Sequence, residues 1–182
     1  MFAKQIIIAG AFLAALSTAA PASNSVAEID VPEGLKIIDV TEAAGVELVW
    51  YGDADGVEST SEAETPSLSR RCGSNRTQCF NDNQAAASSC EALINGLLNS
   101  SNNLPVSPRS VCATLAGNRC CTSWANNLSG AKYYYLQSAA SAILRNCRGS
   151  AGFVSGKSYD TLLGSTCTTQ CLSNRPDGCN NN

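Results

Sequence analysis

Residues 111–125 read VCATLAGNRCCTSWA. Val111, Ala113 and Leu115 alternate along one side, Gly117-Asn118 supplies a turn, and Cys120, Thr122 and Trp124 resume the alternation. A period of two on both sides of a glycine turn is the pattern of a β-hairpin. Successive side chains of a strand point to opposite faces, so the adjacent Cys120 and Cys121 are expected to bond to different partners. A helical period flanks the hairpin on both sides. Upstream, Ala86, Cys90, Leu93, Ile94 and Leu97 recur at intervals of three and four, with Asp82 as the expected cap and Gly96 weakening the last turn. Downstream, Tyr133, Leu136, Ala140, Ile143, Leu144 and Cys147 form a sharper stripe, with Ser129 as the expected cap and Gly149 as the stop. Each stripe carries a cysteine that can staple its helix to the sheet. The tail CTTQCLSNRPDGC, residues 167–179, reads as strand or loop closed by a Pro-Asp-Gly turn. The fold class predicted is α+β: a small disulfide-rich domain with two helices packed on a short antiparallel sheet.

The cysteines mark where that domain begins. All ten, at positions 72, 79, 90, 112, 120, 121, 147, 167, 171 and 179, follow the dibasic pair Arg70-Arg71. This density in a module of residues 72–182 defines a disulfide scaffold. The even count implies that Cys72, Cys79, Cys90, Cys112, Cys120, Cys121, Cys147, Cys167, Cys171 and Cys179 are all bridged, with the pairing left open. Charge divides the chain at the same place. Of its fifteen acidic residues, eleven precede Cys72, and only Asp82, Glu91, Asp160 and Asp177 follow it.

The N-terminus reads as an export signal, residues 1–19. Lys4 precedes an uncharged apolar run, Ile6–Leu16, and small residues follow it. That run is about half the ~20 residues a membrane span needs, so no transmembrane segment is expected. Residues 20–71 then form an acidic leader or propeptide. Within it LKIIDV and VELVWY have strand character, and residues 52–71 are rich in Ser, Glu, Asp and Pro and read as a disordered linker. Cleavage after Arg70-Arg71 by a kexin-type protease would leave Cys72 as the mature N-terminus. Without that cut, VELVWY is available to pair with the module as an edge strand.

The chain has no histidine. That excludes Ser-His-Asp triads, Cys-His pairs and histidine-dependent ribonucleases and phospholipases. A glycosidase needs two close carboxylates, and the four of the module stand on separate segments. No catalytic residue, metal site or cofactor is expected, because the cysteines do not show metal-ligand spacing and the compartment is oxidising. The basic residues are scattered, which argues against nucleic acid. A hydrophobin-like role is disfavoured, since the apolar residues follow core periods. The sequons at Asn75, Asn99 and Asn127 are candidate glycosylation sites. Tyr134 and Lys132 fall off the second helical stripe and form a candidate binding face, with Tyr135 beside them.

RRCGSNRTQC, SSCEALING, SPRSVC, GNRCCTSWAN and CLSNRPDGC, with LVWYGDA upstream, resemble the small secreted fungal proteins grouped under a "WD-like" domain. That name implies no β-propeller, whose blades repeat every ~40–45 residues. The order of a Cys-Gly start, a cysteine-bearing helix, a hairpin and a second helix is also similar to fungal necrosis-inducing effectors and to the killer toxins of smut viruses. The WD-like family is recognised by sequence, so that resemblance implies no particular biochemistry. The export signal, the cysteines and the lack of histidine lead to the expectation of a secreted, non-enzymatic protein acting as an effector- or toxin-like binding module on an extracellular or cell-surface target, with target and oligomeric state open. The alternative is a structural or cell-wall-associated fungal protein.

Overall fold

The computed structural model describes residues 31–54, 72–128 and 130–179, which fall in one compact unit. The expected export signal, Arg70-Arg71, most of the stretch read as linker and the expected Ser129 cap lie outside the described residues. Nine strands and two α-helices follow one another: β1 (Leu35–Ala43), β2 (Val46–Asp53), β3 (Arg76–Cys79), β4 (Ala85–Ala86), α1 (Ala87–Leu98), β5 (Pro108–Leu115), β6 (Asn118–Trp124), α2 (Gln137–Cys147), β7 (Phe153–Val154), β8 (Gly156–Leu163) and β9 (Thr166–Ser173). A 3-10 turn, Tyr133–Leu136, leads into α2.

Seven strands form one sheet in the order β1-β2-β5-β6-β9-β8-β3, and β4 pairs with β7 in a second, two-stranded sheet. Every pairing is antiparallel. The expected α+β domain, two helices on a short sheet, is therefore corrected. The molecule is mostly antiparallel sheet, and the two helices are short additions to it.

The extra strands escaped the sequence pattern for physical reasons. In β8 the buried positions are Gly156, Ser158, Thr161 and Leu163, so one large apolar side chain stands among small and polar ones. The polar atoms of Ser158 and Thr161 are satisfied locally, since the Thr161 hydroxyl donates to the Ser158 carbonyl at 3.2 Å and lies 3.0 Å from the Ser158 hydroxyl. A bulge between them, with Asp160 at φ +54°, also breaks the period of two. In β9 the side chain facing the helices is Gln170, fully buried. Its amide nitrogen donates to Thr122 Oγ1 at 2.8 Å and to the Leu136 carbonyl at 2.7 Å, whereas its Oε1 is buried without a hydrogen-bond partner.

β5 and β6 form the expected hairpin, with the turn one residue earlier than expected. Leu115 pairs with Asn118, so the loop is Ala116-Gly117, both at positive φ (+49° and +77°). Two consecutive left-handed residues are what a type I′ turn requires, and they match the twist of the flanking strands. The helix faces also fall where the periods put them. Cys90, Leu93 and Leu97 of α1, and Leu136, Ala140 and Ile143 at and beyond the start of α2, are fully buried. The Asp82 cap is corrected: α1 begins at Ala87 after the extended Ala86, without a side-chain cap. Asp82 instead accepts from Asn83 Nδ2 at 2.9 Å, because β4 intervenes before the helix.

The leader runs enter the same sheet. β1 and β2 are LKIIDVTEA and VELVWYGD, and β2 pairs with β5 from Leu48↔Ala113 to Gly52↔Pro108. VELVWY is thus an interior strand and not an edge, since β1 lies outside it. Gly52 and Asp53 belong to β2, so the strand continues into the stretch read as linker.

Five disulfides join all ten cysteines: Cys72–Cys167, Cys79–Cys147, Cys90–Cys120, Cys112–Cys121 and Cys171–Cys179. Cys90 ties α1 to β6, and Cys147 ties α2 to β3. Cys120 and Cys121 take different partners, as strand geometry demands.

Two outcomes are expected. Alkylation of the denatured, unreduced protein should add no label, while removal of one native bridge should cost roughly 2–5 kcal/mol. Ile143→Ala should also cost about 2–5 kcal/mol in thermal or denaturant melts, because the site is closed on all sides. The Tyr134→Ala melt should match wild type, and equal losses in both variants would contradict the helix faces.

Candidate functional site

The sequence Lys132-Tyr133-Tyr134-Tyr135-Leu136 folds as it does because a 3-10 turn eclipses residues three apart. Tyr133 and Leu136 are three apart, and both are buried. Tyr134 and Tyr135 are left to the outside of the turn. The backbone N–H of Tyr133 donates to the Asn102 carbonyl at 3.1 Å, and that of Leu104 donates to the Ala131 carbonyl at 2.9 Å, so the turn is tied to the loop after α1. Tyr133 stacks on Trp50 with centroids 4.4 Å apart, and its hydroxyl lies 3.5 Å from Thr41 Oγ1. The inner tyrosine anchors the turn, and the outer pair is presented from it.

Tyr134 is 41% exposed, and its ring lies 4.6 Å from that of Tyr135 at an interplanar angle of 49°. Tyr135 is half-buried and packs against the edge of the core. The hydrogen bond with Tyr134, then the charge repulsion between two phenolates, holds the Tyr135 phenol above its ordinary range, with Lys132 acting in the opposite direction. Together the two rings offer flat aromatic surface with hydroxyl groups. Lys132 was expected to be exposed with Tyr134. It is half-buried, because a bridge with Asn103 holds its backbone against the neighbouring loop.

The other candidate residues are dispersed. Asn99 is exposed at the end of α1, where its Nδ2 donates to the Asn95 carbonyl at 2.9 Å. Asn127 is exposed and accepts from Arg109 Nη1 at 3.1 Å. Asn75 is half-buried, at φ +49°, and its Nδ2 donates to Ser138 Oγ at 3.1 Å. A glycan on Asn75 would have to break that bond. The module carboxylates are not gathered either: Glu91 pairs with Arg148 at 2.8 Å and Asp177 with Arg175 at 3.7 Å, at different places on the surface.

Two clefts among the described residues bear on a small-molecule site. The larger, about 250 Å³, is lined by residues including Phe80, Asp82, Lys157 and Arg175. The smaller, about 180 Å³, lies between Glu33, Asp53, Arg109 and Asp177. Both are smaller than the ~300 Å³ at which small-molecule sites begin. Among the described residues no cluster of three or more Cys, Asp or Glu is arranged to hold a metal ion, and no helix is long and apolar enough to cross a membrane.

A disulfide-stapled antiparallel sheet that presents an aromatic turn is the class of protein the geometry defines. The family model of the fungal WD-like proteins matches residues 55–179, and the chain belongs to that family. No curated protein and no solved structure matches it.

The sequons give a direct test. Expressed in a glycosylating host, Asn99→Gln should remove one glycan by intact mass, whereas Asn75→Gln should leave the number of glycans unchanged, the mass shifting only by the added methylene.

Proposed function

We propose that the chain is a secreted, non-enzymatic protein that acts outside the cell as an effector- or toxin-like ligand, engaging a cell-surface molecule through its tyrosine turn. The observation that carries this reading is Tyr134: an exposed ring on a turn whose own neighbours Tyr133 and Leu136 are buried. A rigid aromatic on a fixed scaffold loses little conformational freedom on binding, which is why tyrosine is enriched at binding hot spots. Five disulfides fit an oxidising, extracellular destination. The absence of histidine from the sequence and the separate pairing of Glu91 and Asp177 support a role without catalysis.

The full chain, secreted from its fungal host, should appear in culture fluid and not in the wall fraction. Tyr134→Ala should leave secretion and melting temperature unchanged while weakening cell-surface binding by ~30-fold or more, the loss expected at a hot spot. Retention in the wall with no effect of Tyr134→Ala would overturn the ligand reading in favour of a structural one.

A further inference from the structure

The N-terminal hairpin, Leu35–Asp53, holds no cysteine, and all five disulfides lie between Cys72 and Cys179. Its one covalent tie to the module is the chain between Ala54 and Cys72. We propose that the edge of β5, with the groove beneath it, is a strand-acceptor site whose occupant is this hairpin, and that the hairpin stays bound without covalent help when the connecting chain is cut. Processing would then produce a two-chain protein and not a freed module.

The fit is that of a built site. Leu48 and Trp50 are fully buried and Tyr51 nearly so, although all three belong to the leader. Trp50 lies against Tyr133, and its indole N–H donates to Thr41 Oγ1 at 3.0 Å. The hairpin thus satisfies its own buried donor and brings the module an apolar face.

The module has glycine where the hairpin comes close. Gly96 stands inside α1, where glycine is a poor helix former. A Cβ there would lie 3.3 Å from the Ala43 carbonyl oxygen and 3.4 Å from Leu48 Cδ2. At the other end, a Cβ on Gly52 would meet the Ser107 carbonyl at 2.9 Å and Ile38 Cγ2 at 3.0 Å. Arg109 of β5 stands 4.0 Å from Asp53. With the hairpin gone, Val111 and Ala113 would form an open apolar edge beside Leu93, Leu97 and Tyr133, which folded proteins avoid. The matched family residues begin at 55, so the occupant lies outside them.

The mode is β-augmentation, here supplied by the chain itself. It does not depend on what the tyrosine turn binds.

The test uses the full chain with a flexible insert in residues 57–66 that carries a site-specific protease sequence. Complete cutting is verified on a reducing, denaturing gel. Native mass spectrometry and size exclusion at micromolar concentration should then find both fragments in one species. That species should separate in denaturant without reductant. Elution of the hairpin fragment alone under native conditions would overturn the proposal, and so would a complex that needs reductant to come apart. In the cut protein, Trp50→Ala should speed loss of the fragment by ~100-fold or more, given the size of the buried surface removed. Val40→Ala, on the exposed side of β1, should leave it unchanged. Equal retention in all three proteins would contradict the Trp50 anchor.

Discussion

Cys120 and Cys121 hold the central strand of the sheet by both faces. β6 is fourth of seven in the order, with three strands on either side. Cys120 reaches down to α1 through Cys90, and Cys121 reaches across the opposite face to Cys112, its direct neighbour on β5. A slip of one residue in β6 would exchange the two faces and bring each sulfur to the wrong partner. The register of β5 and β9 on either side follows from that lock. So does the placement of α1, and with it the groove that receives Leu48 and Trp50. The same strand carries Thr122, whose hydroxyl donates to the Cys171 carbonyl at 3.0 Å and receives the Gln170 amide.

The parts of the fold legible in the sequence are those in which apolar residues mark the period. The β5–β6 hairpin and the two helix faces are of this kind. β8 and β9 are not, because Leu163 and Leu172 share their buried positions with Ser158, Thr161, Thr168 and Gln170, whose hydrogen bonds no composition rule reveals. β1 and β2 show their apolar runs plainly. What misplaced them was the use of cysteine as the mark of the domain: packing, not disulfide chemistry, fixes the hairpin. Of the site, Tyr134 could be read from its position off the helical stripe. The half-burial of Lys132 could not, because it follows from a bridge to a loop distant from any periodic segment.

The exposed aromatic pair and the core meet in one turn. Tyr133 completes the cover over Trp50, while Tyr134 and Tyr135 face outward from adjacent positions. The N-terminal hairpin therefore buttresses the aromatic turn from within, through the contact between Trp50 and Tyr133. A change that loosens the hairpin would act on the presented rings without touching them.

The spacing of the bridges also bears on how the chain acquires them. Cys112–Cys121 and Cys171–Cys179 span nine and eight residues, whereas Cys79–Cys147 and Cys72–Cys167 span 68 and 95. Closing a short loop loses less chain entropy than closing a long one. As the polypeptide emerges N-terminus first, Cys112 and Cys121 are both present before Cys147, Cys167 or Cys171 exists to compete for them. The early bridge withdraws Cys121 from the pool and leaves Cys120 as the one vicinal thiol for Cys90. Cys120 is as near to Cys112 along the chain as Cys121 is, so the choice between the two adjacent thiols falls to the hairpin register, which sets Cys112 opposite Cys121.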